Sequence, residues 1–358
     1  MKVLSIVGAT PQFIKAAVVS HKLITKGINE VLLNAGQNLD DTLSQIFLEE
    51  MNIPEPRYKL SIPNLSPGAT IGKLLEGIES VIIKEKPDMV LVYGDNNPAL
   101  AGAIAAQKQQ IPVAHIEAGL RSFKPMLGRE MNRILVDRVS TLLFCPNETA
   151  VENLKKEGFD SFPCNIYNTG DVMQDAANYY CTLPSLKSDI IIRLNLNHSF
   201  ALATISSQEN TSDLKKLKEI VKALNAINRE LRVVVPLHHL TIKFLRDADI
   251  ETNFTIIPLV NYFDMVELLR NCTIVLTDNG SVQKEAFFFK KCCVTLKKET
   301  ECTELVQNGF NMLGSSDSEF ILIAYHEMIN RKPNFSMNIY GKGKASEQIA
   351  EILKNWKC

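Results

Sequence analysis

Charge bias is the first thing this sequence lacks. Its 39 lysines and arginines are nearly balanced by 40 aspartates and glutamates, and the basic residues are scattered. The basic stripe that nucleic-acid binding needs is therefore missing, and no nucleic-acid partner is expected. Long apolar runs are lacking too. None approaches the roughly 20 residues that span a bilayer, and the N-terminus MKVLSIVGAT turns polar too soon for a signal peptide. These absences predict a cytoplasmic protein with no membrane partner. The eight cysteines never fall in CxxC spacing and have no histidines at metal-ligand distance. They read as buried thiols in apolar surroundings such as LLFCP, RNCTIVL and KKCCVTL, with no structural metal; Cys292 and Cys293 would point to opposite faces of one strand.

What is present is a repeated alternation. Short apolar runs (KVLSIVG, EVLLNAG, DMVLVYG, PVAHIEAG and STLLFCP, then FALATIS, LRVVVPL, FTIIPL, CTIVLTD and CCVTL) are separated by amphipathic helical patterns such as PQFIKAAVVSHKLITKG, NNPALAGAIAAQKQQ and DLKKLKEIVKALNAIN. This order predicts α/β architecture, with parallel sheets covered by helices on both faces. At 358 residues the chain exceeds the roughly 250–300 residues at which single cores stop growing, so two domains are expected. The rhythm breaks around YNTGDVMQDAANYYCTLPSLKSD, which reads as a linker region, and resumes near Ile190. The expected division is 1–172 and 173–343, with 344–358 returning to the first domain. Two open α/β sheets facing one another would place their strand C-termini around a shared cleft, where ligands bind.

The candidate site residues should therefore follow strands. Gly8 in VGATPQFIKAA stands at a strand-to-helix turn, where backbone N–H groups could hold a phosphate; an ordinary βα turn fits equally, since the full GxGxxG fingerprint is absent. In VLTDNGSVQKEAFFF, Asp278-Asn279-Gly280-Ser281 opens a helix and Glu285 follows about one and a half turns later. An anion at that helix start with a ribose on Glu285 would fit a nucleoside diphosphate, and a simple N-cap is the alternative. Asp95 and Glu117 end two apolar strands, and Glu130, Asn132 and Arg133 follow in REMNRILVDR. Crowded carboxylates raise one another's pKa, which would suit acid/base work near neutral pH. Simpler readings cover the rest. His115 lies in a buried strand as a satisfied core histidine, Phe287, Phe288 and Phe289 pack in a core, and KKLKEIVK is a solvated helix face.

Nearly the whole chain resembles the non-hydrolysing UDP-N-acetylglucosamine 2-epimerases of bacterial surface-polysaccharide pathways, and within them the branch acting on UDP-2,3-diacetamido-2,3-dideoxyglucuronate. The resemblance is carried by QFIKAAVVS, KPDMVLVYGD, LAGAIAA, IPVAHIEAGLRSF, MNRIL, LLFCP, ENLKKEGF, GDVMQDA, QKEAFFF and YGKGKAS. It implies a GT-B architecture of two Rossmann-like domains with sheets facing across a cleft, a homodimer, a UDP-sugar substrate, and no metal or redox cofactor. It further implies inversion at C2 of the sugar by elimination and re-addition of UDP through a glycal. Asp95, Glu117 and Glu130 match the acid/base positions. Gly8, Thr10, Arg121, Asn132, Arg133, Ser206, Glu209, Asn210, His238, Asn279, Gly280, Ser281 and Glu285 match substrate-binding segments.

Departures from the family pattern gather at the ligand motifs. Thr10 replaces an arginine, Ser206 and Ser207 replace a histidine and an arginine, and Asn279-Gly280-Ser281 replaces SGG. Asn96, Pro98 and Ala99 replace hydroxyl residues at a helix start, which is expected to remove caps. Gly128 and Arg129 replace a proline-glutamate pair, and Cys302 and Lys342 replace a tryptophan and an acidic residue. Up to three charge-assisted contacts to a diphosphate are lost, each worth about 1.5–3 kcal/mol. Two readings follow: an active nucleotide-sugar 2-epimerase, or a catalytically impaired homologue acting as scaffold or regulator. A third, different sugar-nucleotide chemistry on the same frame, is the minor alternative.

Overall fold

The computed structural model describes residues 1–8, 10–36, 54–63, 65–124, 126, 128–182 and 188–356. The side chain of Thr10, part of the expected linker, and Cys358 lie outside the described residues. The chain divides into two compact units, 1–179 with 338–358, and 180–337.

In the first unit the described strands are β1 (Lys2–Val7), β2 (Asn29–Asn34), β3 (Tyr58–Lys59), β4 (Met89–Tyr93), β5 (Val113–Ile116), β6 (Leu142–Cys145) and β7 (Asn165–Asn168). They form one parallel sheet in the order β3-β2-β1-β4-β5-β6-β7. Helices α1 (Thr10–Thr25), α2 (Pro67–Glu85), α3 (Asn97–Lys108), α4 (Gly128–Val139), α5 (Glu148–Lys156) and α6 (Val172–Thr182) connect or follow the strands. The central strands are near-continuous apolar runs because helices cover both of their faces; all five residues of β4 are buried. Strand order reverses between β1 and β4, the kind of switch point at which open α/β sheets bind ligands.

Close packing explains the alanine-rich α3. A Cβ added to Gly102 would lie 2.5 Å from Ile6 Cδ1 and 3.3 Å from Val92 Cγ1, so the helix can approach β1 and β4 only as glycine there. Its first turn also corrects an expectation. Asn96 does cap α3, accepting from the Ala99 N–H at 3.0 Å, and Pro98 sits at the start, where its missing N–H costs little.

The second unit repeats the plan. Its strands β8 (Phe200–Thr204), β9 (Arg232–Leu237), β10 (Thr255–Pro258), β11 (Ile274–Thr277), β12 (Cys292–Thr295) and β13 (Asn311–Leu313) are parallel in the order β10-β9-β8-β11-β12-β13. The switch point lies between β8 and β11. Its helices are α7 (Ile190–Arg193), α8 (Gln208–Thr211), α9 (Leu214–Ile227), α10 (His239–Asp247), α11 (Tyr262–Asn271), α12 (Gly280–Phe288), α13 (Thr303–Gln307) and α14 (Ser318–Ile329). In α9 the residues Leu217, Ile220, Val221, Leu224 and Ile227 form the buried stripe, while the lysines of KKLKEIVK between them are solvated or half-buried. Phe287 packs edge-on against Phe310, with ring centroids 4.7 Å apart, as a core residue.

The expected linker is partly structured. YNTGDVMQDAANYY contains the end of β7 and most of α6, whose Val172, Met173, Ala176, Ala177 and Tyr180 are buried at helical spacing. The chain re-enters the first unit at 338, and α15 (Ala345–Asn355) packs on α1. Asp175 on α6 accepts from the Ala345 N–H at 3.1 Å and the Ser346 N–H at 2.7 Å, capping a helix distant in sequence. That contact keeps most of α6 with the first unit, and the division falls at 179/180 instead of 172/173.

Candidate active site

Adjacency answers why two strands deliver an acid at one edge. β4 and β5 are parallel neighbours with Tyr93 opposite Ile116, so Asp95 and Glu117 both lie just beyond their C-terminal ends. Gly94 and Glu117 adopt left-handed backbone, φ +65° and +72°. Glycine tolerates this and glutamate does so at a cost, one that clusters at functional sites.

Each acid faces a cation. Lys15 Nζ lies 2.5 Å from Glu117 Oε2. Arg133 spans the other two, with Nη2 2.6 Å from Asp95 Oδ2 and Nη1 3.1 Å from Glu130 Oε2. Glu130 also accepts from the backbone N–H groups of Ser122 and Phe123 and from the Ser122 hydroxyl. Burial would raise its carboxyl, but these bonds and Arg133 hold it below the ordinary range. Mutual crowding of carboxylates therefore does not govern Glu130, contrary to the expectation from sequence. Asn132 donates to the Asp95 carbonyl at 2.9 Å and fixes that turn.

Gln12 ties the switch point together. Its Oε1 accepts from the Gly8 N–H and from Asn96 Nδ2, each at 2.7 Å, and its Nε2 donates to the Tyr93 carbonyl. Gly8 must be glycine, since a Cβ would lie 2.4 Å from Pro98 Cγ. Gln12 and Lys15 escaped the sequence reading. Their signal was present: two long polar side chains at i, i+3 on the mostly apolar buried face of α1.

Arg121 is placed differently from expectation. Its guanidinium donates to Asp137 Oδ2 at 2.7 Å and to Glu157 at 2.6 and 2.8 Å, a buried framework contact that leaves little of it for a ligand. His115 is a fully buried core histidine bonded to Asp137 and to the Gly94 carbonyl, as its strand position implied.

In the second unit the switch point is organised by Asp278, buried after β11. Its carboxylate accepts from the N–H groups of Ser206 at 2.8 Å and Ser207 at 3.0 Å, and from Asn210 Nδ2 at 2.9 Å. Two of these donors are backbone, so the turn after β8 survives whatever side chain stands at 206 or 207. Asn210 also donates to the Leu296 carbonyl at 3.0 Å, which makes it a framework residue, and Glu209 pairs with Lys216 at the surface. Asn279 caps α12 by accepting from the Ser281 N–H at 2.9 Å. A Cβ on Gly280 would lie 2.6 Å from Glu301 Oε1, so that carboxylate would have to move aside for any larger residue at that helix start. Glu285 is buried on α12 beside the Tyr262 hydroxyl, which burial and that carboxylate push well above its ordinary range. His238 caps α10, accepting from the Leu240 N–H at 3.2 Å.

Among the described residues no group of three or more His, Cys, Asp or Glu could hold a metal ion, and no helix is long and apolar enough to cross a membrane. The described cysteines are free thiols, of which Cys164 and Cys181 are only partly buried.

Comparison with known proteins places this geometry. The family model described as UDP-N-acetylglucosamine 2-epimerase matches residues 22–354. The chain is 44% identical to the UDP-2,3-diacetamido-2,3-dideoxy-D-glucuronate 2-epimerase of Pseudomonas aeruginosa, covering 99% of each chain. Among solved structures it is similar to the UDP-GlcNAc 2-epimerase of Methanocaldococcus jannaschii in complex with UDP-GlcNAc and UDP. The TM-score is 0.91 at 34% identity, over 99% of this chain and 100% of that one. The Neisseria meningitidis UDP-GlcNAc 2-epimerase bound to UDP-GlcNAc matches with a TM-score of 0.87 at 29% identity, over 99% of each chain. The two Rossmann-like units are thus those of a GT-B fold. The scaffold or regulator reading finds no support in these relatives.

Proposed function

This chain belongs to the UDP-N-acetylglucosamine 2-epimerase family, and from that premise we propose that it inverts C2 of a UDP-linked N-acetylated amino sugar. The observation that carries the proposal is the set of three acids, each held opposite a basic side chain at the first switch point. An ionised carboxylate there removes the C2 proton. The C–H electron pair forms a C1=C2 bond, and UDP leaves C1 with its bonding pair. Re-addition of UDP and protonation from the other face complete the inversion. Asp95 and Glu117 are the proton-transfer residues, and Glu130 holds Arg133 and the Ser122–Phe123 turn around them.

The UDP moiety is held in the second unit by the start of α12, with Gly280, Ser281 and Asn279, and its ribose by Glu285. His238 and Ser206 belong to the same ligand surface. Of the two substrate choices, the 2,3-diacetamido-uronate is favoured over UDP-GlcNAc by the 44% identity to an enzyme named for it, against 35% to a UDP-GlcNAc enzyme. The protein acts in the cytoplasm as a homodimer, supplying lipopolysaccharide or related surface-polysaccharide synthesis.

Incubation with each UDP-sugar in D₂O tests the reading. Deuterium entering C2 of the diacetamido-uronate faster than of UDP-GlcNAc is expected, and no incorporation into either refutes it. Light scattering at micromolar concentration should give twice the chain mass.

A further inference from the structure

One histidine in the first unit is gripped by two acceptors. His115 Nδ1 lies 2.7 Å from Asp137 Oδ1, and Nε2 lies 2.9 Å from the Gly94 carbonyl oxygen. A neutral imidazole carries one N–H, so in that state one of the contacts would set lone pair against lone pair. A proton on Asp137 Oδ1 would satisfy that contact too, but the partners of this carboxylate favour its ionised form. Its second oxygen accepts from Arg121 Nη1 at 2.7 Å and the Gly119 N–H at 3.1 Å. Burial would raise the Asp137 carboxyl, but the facing His115 and Arg121 hold it below the ordinary range.

The charges around the ring point the same way. Asp137 comes from α4, Arg121 from the segment after β5, and Glu157, which pairs with Arg121, from the end of α5. Cys145 on β6 stays a neutral thiol because burial pushes it well up. With both ring protons present, His115 and Arg121 balance Asp137 and Glu157. With a neutral ring, the buried Asp137 would keep only Arg121, which it shares with Glu157.

The second contact matters because of where it falls. Gly94 immediately precedes Asp95, and its N–H already donates to the Ile116 carbonyl at 3.0 Å. β5 thus holds the Gly94 peptide at both its N–H and its C=O. Two residues beyond His115 on the same strand end stands Glu117, whose Oε2 lies 3.2 Å from where a Gly94 Cβ would be.

We propose that His115 is a doubly protonated positioning residue, which pins the Gly94–Asp95 turn to the strand carrying Glu117 and so sets the spacing of the two acids. Its kinetic consequence rests on the epimerase reading; its protonation does not.

Long-range ¹H–¹⁵N correlation of the histidine rings in the wild-type protein at neutral pH should show both His115 nitrogens protonated. One unprotonated nitrogen overturns the proposal. His115→Phe fills the space with no donor, and His115→Gln restores one N–H. The phenylalanine variant should lose about tenfold or more in kcat for C2 exchange with KM little changed, and the glutamine variant should recover part of it. Equal losses in the two, or full activity in His115→Phe, overturn the positioning role. Should neither variant fold, Asp137→Asn, which keeps the volume, should lower kcat and convert His115 to a ring with one N–H; unchanged kcat and ring signals sink the proposal. If the wild type shows no exchange, the epimerase reading fails, while the ring signals still decide the protonation.

Discussion

The two units use one topology to handle charge in opposite ways. In the first, every acid at the switch point has a cation beside it, Lys15 for Glu117 and Arg133 for Asp95 and Glu130. In the second, the carboxylate of Asp278 at the equivalent switch point is bonded by backbone and amide N–H groups, and the helix starts after β11 and β9 are capped by the side chains of Asn279 and His238. The difference follows the chemistry proposed for each. Proton transfer needs carboxyl groups in fixed positions, one to take the C2 proton and one to return a proton, and a diphosphate needs backbone N–H groups at a helix start.

The sharpest way to break this contrast is to neutralise an acid without changing its shape. Glu117→Gln and Asp95→Asn should each lower C2 exchange by about 10²–10⁴-fold, the usual contribution of a positioned acid or base. Circular dichroism should be unchanged. Exchange at the wild-type rate in either variant would remove that residue from the chemistry.

Asp278→Asn tests the other unit. An amide offers one acceptor oxygen where the carboxylate offers two, so bonds from the turn at Ser206 and Ser207 weaken. A loss of about 1.5–3 kcal/mol in stability is expected, with weaker UDP binding. Hydrogen exchange should show it across 180–337, while fluorescence of the single tryptophan, Trp356 in the first unit, responds less.

A pH series sharpens the contrast in the first unit. Glu130 is held below the ordinary carboxylate range, so it binds its proton more weakly folded than unfolded. Its contribution to stability is full above the unfolded value of roughly 4.3 and is lost as pH falls through the lower folded value. The stability difference between wild type and Glu130→Gln should therefore be constant at neutral pH and shrink on acidification below about pH 4. A difference that grows on acidification would contradict the assignment. The smallest effect belongs to a cap: Asn279→Ala should cost about 1 kcal/mol, the usual value for an N-cap, read by chemical denaturation.

How much of this was legible in the residues varies by element. The central strands are unmistakable because burial on both faces demands uninterrupted apolar runs, as in MVLVY and IVLT. Edge strands such as β7, NIYN, carry no such mark, being half exposed. The helix in VMQDAANYY was obscured by its polar flanks. Among candidate site residues, the order strand-turn-acid placed Asp95 and Glu117 just beyond strand ends, and pairing made those ends adjacent. The pattern could not say that Arg121 and Asn210 serve the framework, because their partners Asp137, Glu157 and Leu296 come from other elements.

Local periodicity and turn chemistry thus determined the class of fold, the strands and the ends at which the candidate residues lie, since those depend on neighbours within one or two turns. Pairing decided the rest: which cation faces Glu117, what caps α15, and that a core histidine touches the peptide before Asp95. Such contacts join positions scores of residues apart, where side-chain reach and burial operate only after the sheets have assembled.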